Sequence, residues 1–168
     1  MDENQKLLSK IKEQEEYLRF TAFDNRMALE LGLILIELGK KQKKPITIDI
    51  TKNGQQVFHY AFDGTSPDND QWIIRKSNVV TRFHTSSLFM GTKLKIEGKT
   101  IEEKYHISSM AFAPYGGAFP LYIKNVGVVG TVTVSGLKQV EDHELVVEAI
   151  GKYLRILKEK ESLALMED

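Results

Sequence analysis

The chain contains no cysteine. That excludes a disulfide, a thiol nucleophile and a thiolate metal site, and it fits a reducing cytosol, so the expected compartment is cytoplasmic. Neither sign of charge is in excess: Lys+Arg and Asp+Glu are both 23, for a formal net charge of zero. A broad nucleic-acid footprint needs a basic surplus, so no nucleic-acid partner is expected. Long apolar runs are missing too. The longest, Leu33 to Ile36, is far too short to cross a bilayer. The opening residues, MDENQKLLSKIKEQEEYLRF, hold neither the apolar core nor the small-residue cleavage site of a secretory signal. No membrane partner is expected. A net charge near zero also removes one defence against self-association, which is compatible with an oligomer.

Reaction signatures are equally scarce. The four histidines show no HxxxH or HExxH spacing, so no metal site is expected. Ser135 is followed by glycine but lacks a GxSxG elbow. Gly127 to Gly136 holds several glycines without a GxGxxG or a phosphate-loop lysine, and reads as a strand.

What is present describes one domain over residues 1–168, long enough to bury a core unaided. Residues 4 to 19 suggest a peripheral helix within an N-terminal segment 1–20. Asp24 is a good N-cap for a second helix reaching to Lys43, with Met27, Leu31, Ile34, Leu35 and Leu38 at helical spacing. Gly39 and the run Lys40 to Lys44 suit its C-terminus, where cations meet the negative dipole end. Asn53-Gly54 between alternating runs signals a hairpin. A two-residue turn sets Ile50 opposite Val57, Ile48 opposite His59 and Ile46 opposite Ala61. The other face would then carry Phe58, Tyr60 and Phe62 and need a cover, from helices, a ligand or another subunit.

A third helix is expected from Asn69 or Asp70 to about Met90, closed by Gly91. Thr100 and Glu103 form a capping box before a short helix ending near His106. Two strands follow in 111–123 and 125–136, then a helix from Gln139 to about Leu157, with 158–168 a frayed tail. Hairpin connections and flanking helices predict an α+β fold, an antiparallel sheet flanked by helices.

Three clusters carry candidate chemistry. Asp142, His143 and Glu144 are consecutive on a helix start, pointing about 100° apart, so they do not converge on one metal ion. A carboxylate at Asp142 favours the positive dipole end. His143 shares a stripe with Val147 and Ile150 and is expected to face packed surface, either hydrogen-bonded structurally or touching a ligand. Gly116 and Gly117 would either offer backbone N–H groups to an anion or form a tight turn or bulge. Arg75 and Lys76 are placed near a helix N-terminus, the wrong end for cations, and need a carboxylate or an anionic ligand.

Three stretches, "WIIRKSNVVTRFHTSS" from Trp72, "APYGGAFPLYI" from Ala113 and "GTVTVSGLKQVEDHELVVEAI" from Gly130, together resemble the GlcG/HbpS-like haem-degrading domain family, in its intracellular branch, over most of residues 15 to 157. The resemblance implies a profilin- and PAS-like three-layer architecture and assembly into homo-oligomers. It implies a ligand-binding pocket at Arg75, Lys76, Tyr115, Gly116, Gly117, Ser135, Gly136, Asp142 and His143, with haem or another planar or anionic molecule as ligand. Tyr115 stands where the family's glycine motif usually has histidine, and the helix from Asp24 to Lys43 has no histidine to ligate haem. Three functions follow as expectations: a homo-oligomeric small-molecule-binding module; a scaffold without pocket chemistry; or an enzyme on a small organic acid or tetrapyrrole with His143 as general acid or base.

Overall fold

In a computed structural model describing residues 1–168, Asn53 and Gly54 both take positive φ, 50° and 78°. That is the pattern of a type I′ turn, whose twist matches the strands it joins. It links β1 (Thr47–Lys52) to β2 (Gln55–Ala61). Lys52 faces Gln55 and Thr51 faces Gln56, as a two-residue turn requires. Then β2 inserts one extra residue, Val57, and Ile50 faces Phe58, Ile48 faces Tyr60 and Thr47 faces Ala61.

This bulge overturns the expected register, because a shift of one residue sends every later side chain to the other face. Phe58 and Tyr60 therefore share the face of Ile48 and Ile50. The chain's own second helix, α2 (Asn25–Gly39), covers that face. A Cβ on Gly32 would stand 2.5 Å from the Phe58 ring, and one on Gly39 would stand 2.9 Å from the Phe62 ring. α2 thus covers Phe58 and Phe62 without a second subunit, whereas Tyr60 stays 46% exposed.

β4 (Gly127–Ser135) pairs antiparallel with β1, and β3 (Ala118–Ile123) with β4, giving the order β2-β1-β4-β3. One face of this sheet is apolar. Ile48, Ile50, Phe119, Leu121, Val132 and Val134 form the main core with Ala28, Leu31 and Leu35 of α2 and Val146, Ala149, Ile150 and Tyr153 of α6 (Gln139–Glu167). The opposite face is polar yet buried: Thr47, Asp49, Thr131, Thr133 and Ser135 lie beneath α3 (Pro67–Phe83). Buried hydroxyls need partners. Thr133 has one in Ser77 of α3 at 2.9 Å. A smaller apolar cluster of Val79, Met90, Leu94 and Ile101 ties α3 to α4 (Ser87–Glu97) and α5 (Ile101–Tyr105). The first helix, α1 (Glu3–Tyr17), packs along α4. The layers are therefore α2 with α6, the sheet, and α3 with α4: an α+β fold of helices on an antiparallel sheet.

Other expectations shift with the third helix. It does not run to Met90. It stops at Phe83, where His84 takes a left-handed φ of 59°, and a new helix starts behind Ser86, whose Oγ accepts from the Phe89 N–H. Gly91 does not close that helix but lies inside it, where a Cβ would meet the Pro114 carbonyl oxygen at 2.0 Å. Gly98 closes it instead, with φ 64°. α6 continues to Glu167, so most of the expected frayed tail is helical. No proline or glycine follows Gly151 to stop it, and the Leu, Ala, Glu and Lys there favour helix. His59 does not face Ile48. It faces Asp49, and its Nε2 lies 2.7 Å from Asp70 Oδ1 of α3.

Candidate functional site

Because α3 begins at Pro67, Arg75 and Lys76 lie mid-helix rather than near its N-terminus. Their need for compensation is met differently in each case. Lys76 points down onto the polar sheet face and is buried. Its Nζ donates to Asp142 Oδ2 at 3.0 Å and to the Val134 carbonyl at 3.3 Å. Asp142, buried in the first turn of α6, also accepts the Leu137 N–H at 2.9 Å. Burial pushes the Asp142 carboxyl up to about 6 and pulls the Lys76 ammonium below its ordinary range, while each partner's charge opposes the other's shift. Arg75 turns the other way. Its guanidinium stacks on Trp72, 4.2 Å from the ring centroid, and Nε donates to the Gln71 carbonyl.

The two glycines serve close packing rather than an open anion cradle. The Gly116 N–H donates to Gln139 Oε1 at 3.1 Å, and a Cβ there would sit 2.1 Å from the Gln139 carbonyl oxygen. Gly117 has φ 138°, open to glycine alone in practice, and a Cβ would meet the Val134 oxygen at 2.4 Å and Lys76 Nζ at 2.7 Å.

Two clefts open here. One, of about 340 Å³, is lined by Asn69, Lys76, Tyr115, Ser135, Gly136 and Asp142 among others. Asn69 Nδ2 approaches Ser135 Oγ at 3.4 Å across it. The other, of about 650 Å³, lies between α3, α4, α1 and the loop before β3, and Arg75 is on its wall. Trp72, Tyr115 and Gln139 line both, and the Trp72 and Tyr115 rings meet edge to face at 5.9 Å. The structure therefore brings together Arg75, Lys76, Tyr115, Ser135, Gly136 and Asp142, with Gly116 and Gly117 behind them. Trp72, Asn69 and Gln139 were not singled out from the sequence. The sequence marks Asn69 and Gln139 only as helix starts.

His143 stands apart. As its stripe suggests, it faces packed surface, but it lines neither cleft. Its Nε2 lies 2.7 Å from Gln14 Oε1 of α1, its ring packs 5.8 Å from Phe119, and its Nδ1 is buried without a partner. Burial lowers its pKa to about 4, so it is neutral near pH 7. α1 has a second anchor in Glu15, whose carboxylate accepts the Ser86 N–H and whose pKa burial raises to about 7.

These two anchors have opposite proton linkage. Glu15 binds its proton more tightly folded than unfolded, so its contribution is full below pH 4.5 and is lost as pH rises through 7. His143 binds its proton less tightly folded, so its contribution is full above pH 6.5 and is lost as pH falls through 4. Relative to wild type, Glu15→Gln should gain stability steadily from pH 4.5 to 7, and His143→Gln should lose it from pH 4 to 6.5. Each trend is limited to about 1.4 kcal/mol per pH unit. Urea unfolding at half-unit pH steps checks both signs.

Neither cleft fits a nitrogen-ligated haem: no histidine lines them, and the phenol of Tyr115 is the one side chain there of a kind that ligates haem iron. No group of three or more His, Asp or Glu side chains is placed to hold a metal ion, and no helix is long and apolar enough to cross a membrane.

Comparison with known proteins accords with this architecture. A UPF0303 protein of Streptomyces coelicolor is 46% identical over 147 residues, covering 88% of this chain and 93% of the relative. One of Rhizobium etli is 44% identical over 158 residues, covering 94% of each. Among solved structures, the Ybr137w protein superposes with a TM-score of 0.81 at 32% identity, covering 87% of this chain and 88% of the other. A PduOC:heme complex shares the fold, with a TM-score of 0.65 at 14% identity over 77% and 94% of the two chains. The family model described as "Haem degrading protein HbpS-like" matches residues 23–151, and the chain belongs to that family.

Proposed function

We propose that the protein is a homo-oligomeric small-molecule-binding module that takes a small planar or anionic ligand at the joined clefts around Trp72 and Tyr115. The observation that carries this reading is the shared aromatic wall. Two concave spaces meet at one pair of rings, flanked by a stacked arginine and a buried ion pair. Apolar walls with a few fixed polar groups are the usual composition of a ligand site. Haem is the ligand that the family's description and the PduOC complex suggest. On this reading its carboxylates would face Arg75, and Tyr115 is the residue left to meet the iron. A cytoplasmic location accords with the absence of cysteine.

The enzyme reading through His143 has less support, because that ring is sealed between α1 and α6 with no route to a ligand in either cleft. The scaffold reading keeps less of its aromatic face, since α2 covers Phe58 and Phe62, and rests on exposed Tyr60 with Leu29 and Leu33 of α2.

Titrating haem into the purified protein tests the proposal's haem form. A shifted Soret band that weakens in Tyr115→Phe is the expected result. An unshifted band removes haem and leaves other organic anions. Light scattering at micromolar concentration tests the assembly: a monomer would overturn the homo-oligomer.

A further inference from the structure

The larger cleft carries charge that the ion-pair network does not consume. Lys95 in the last turn of α4 and Lys99 just beyond it line the cleft together with Arg75. None of the three takes part in a salt bridge, whereas neighbouring Lys104 is paired with Glu97. The one carboxylate on the cleft wall, Glu102, is engaged by the Ser109 N–H at 2.9 Å. Deeper in, the wall is apolar: Leu88, Leu94, Ile101 and Phe112, with Leu7 of α1 closing the far side. Cations at a helix C-terminus suit the dipole, but that accounts for neither the arginine from α3 nor the apolar depth behind all three.

A cleft of about 650 Å³ with two lysines in no salt bridge, an arginine stacked on Trp72, an apolar wall and no imidazole or sulfur donor for a metal selects by charge and surface, not by coordination. We propose that it seats a metal-free aromatic organic anion, a carboxylate or sulfonate, with its ring on Trp72, Phe112 and Tyr115 and its charge held by Lys95 and Lys99. This rests on the reading that the joined clefts bind ligands, and it assigns the anion to lysines outside the pocket that the family resemblance marks.

Trp72 is the single tryptophan of the chain, so its fluorescence reports the site directly. The probe is 8-anilinonaphthalene-1-sulfonate, with the neutral N-phenyl-1-naphthylamine as its uncharged counterpart. Both are titrated into the full chain and into the Lys95→Glu/Lys99→Glu variant. Both lysines are exposed, so the variant keeps its core.

The expected result is saturable quenching of Trp72 by the sulfonate, with the dissociation constant raised about tenfold or more in the variant and binding of the neutral probe unchanged. If the sulfonate binds the variant as tightly as wild type, or the neutral probe competes equally in wild type, the anion seat is overturned while a ligand-binding cleft stands. If neither probe nor haem perturbs Trp72, the seat and the broader binding reading fail together.

Discussion

Asp142→Ala should lower the free energy of unfolding by about 3–5 kcal/mol, a large fraction of what a domain possesses. The substitution leaves the Lys76 ammonium beneath α3 facing only the Val134 carbonyl, and leaves the Leu137 N–H without its acceptor. Lys76→Met should cost a similar amount for the mirrored reason, an unpaired buried carboxylate. The double variant Lys76→Met/Asp142→Leu should recover most of the loss, because an apolar pair of similar volume avoids desolvating two charges. The Leu137 and Gly136 N–H groups lose their carboxylate acceptor, so recovery stays short by about 1–3 kcal/mol. Urea denaturation of the four proteins measures the two losses and the recovery; adding Asp142→Leu alone closes the cycle that gives the coupling. Single variants costing less than about 1 kcal/mol would mean that water reaches the pair.

Gly117→Ala should be nearly as damaging, by about 3 kcal/mol or more, since two penalties add. One is conformational, for an L side chain at φ 138°. The other is steric, against the Val134 oxygen and Lys76 Nζ. Gly54→Ala is the control: φ is also positive there, but nothing lies within 4 Å of the added carbon. It should cost only about 1 kcal/mol by thermal or urea unfolding. Equal losses at the two positions would show that backbone strain alone, not contact with the ion pair, sets the effect.

The helices α2 and α6 and the turn at Asn53-Gly54 were legible because each rests on short-range chemistry: a capping aspartate, a 3.6-residue apolar stripe, a positive-φ pair. The bulge was not. Val57 is apolar like the residues it displaces, so the alternating pattern reads equally well in either register. The break at His84 was hidden because the apolar residues around it continue a plausible helical stripe, though Ser86 as an N-cap was a signal that could have revealed it. In the site, the need of Lys76 for a carboxylate is readable in the sequence, and Asp142 is readable there as a carboxylate at a helix start. Only the fold shows that these two, 66 residues apart, answer each other. Gln14 lies 129 residues from His143, and no local pattern foretells that contact. Lys95 and Lys99 are four residues apart in the sequence, but cations around a helix C-terminus look alike whether or not a cleft opens beside them.

The extra residue in β2 has a last effect at the margin of the sheet. β3's outer rim is occupied by the chain itself, where Phe20 exchanges hydrogen bonds with Tyr122 and Lys124. β2 forms the other rim and has no such neighbour. A foreign strand laid along it would find its ladder interrupted at Val57, leaving only a short stretch of regular backbone on the far side to grip. The irregularity that hides the register from the sequence thus also shields the molecule from indiscriminate strand stacking.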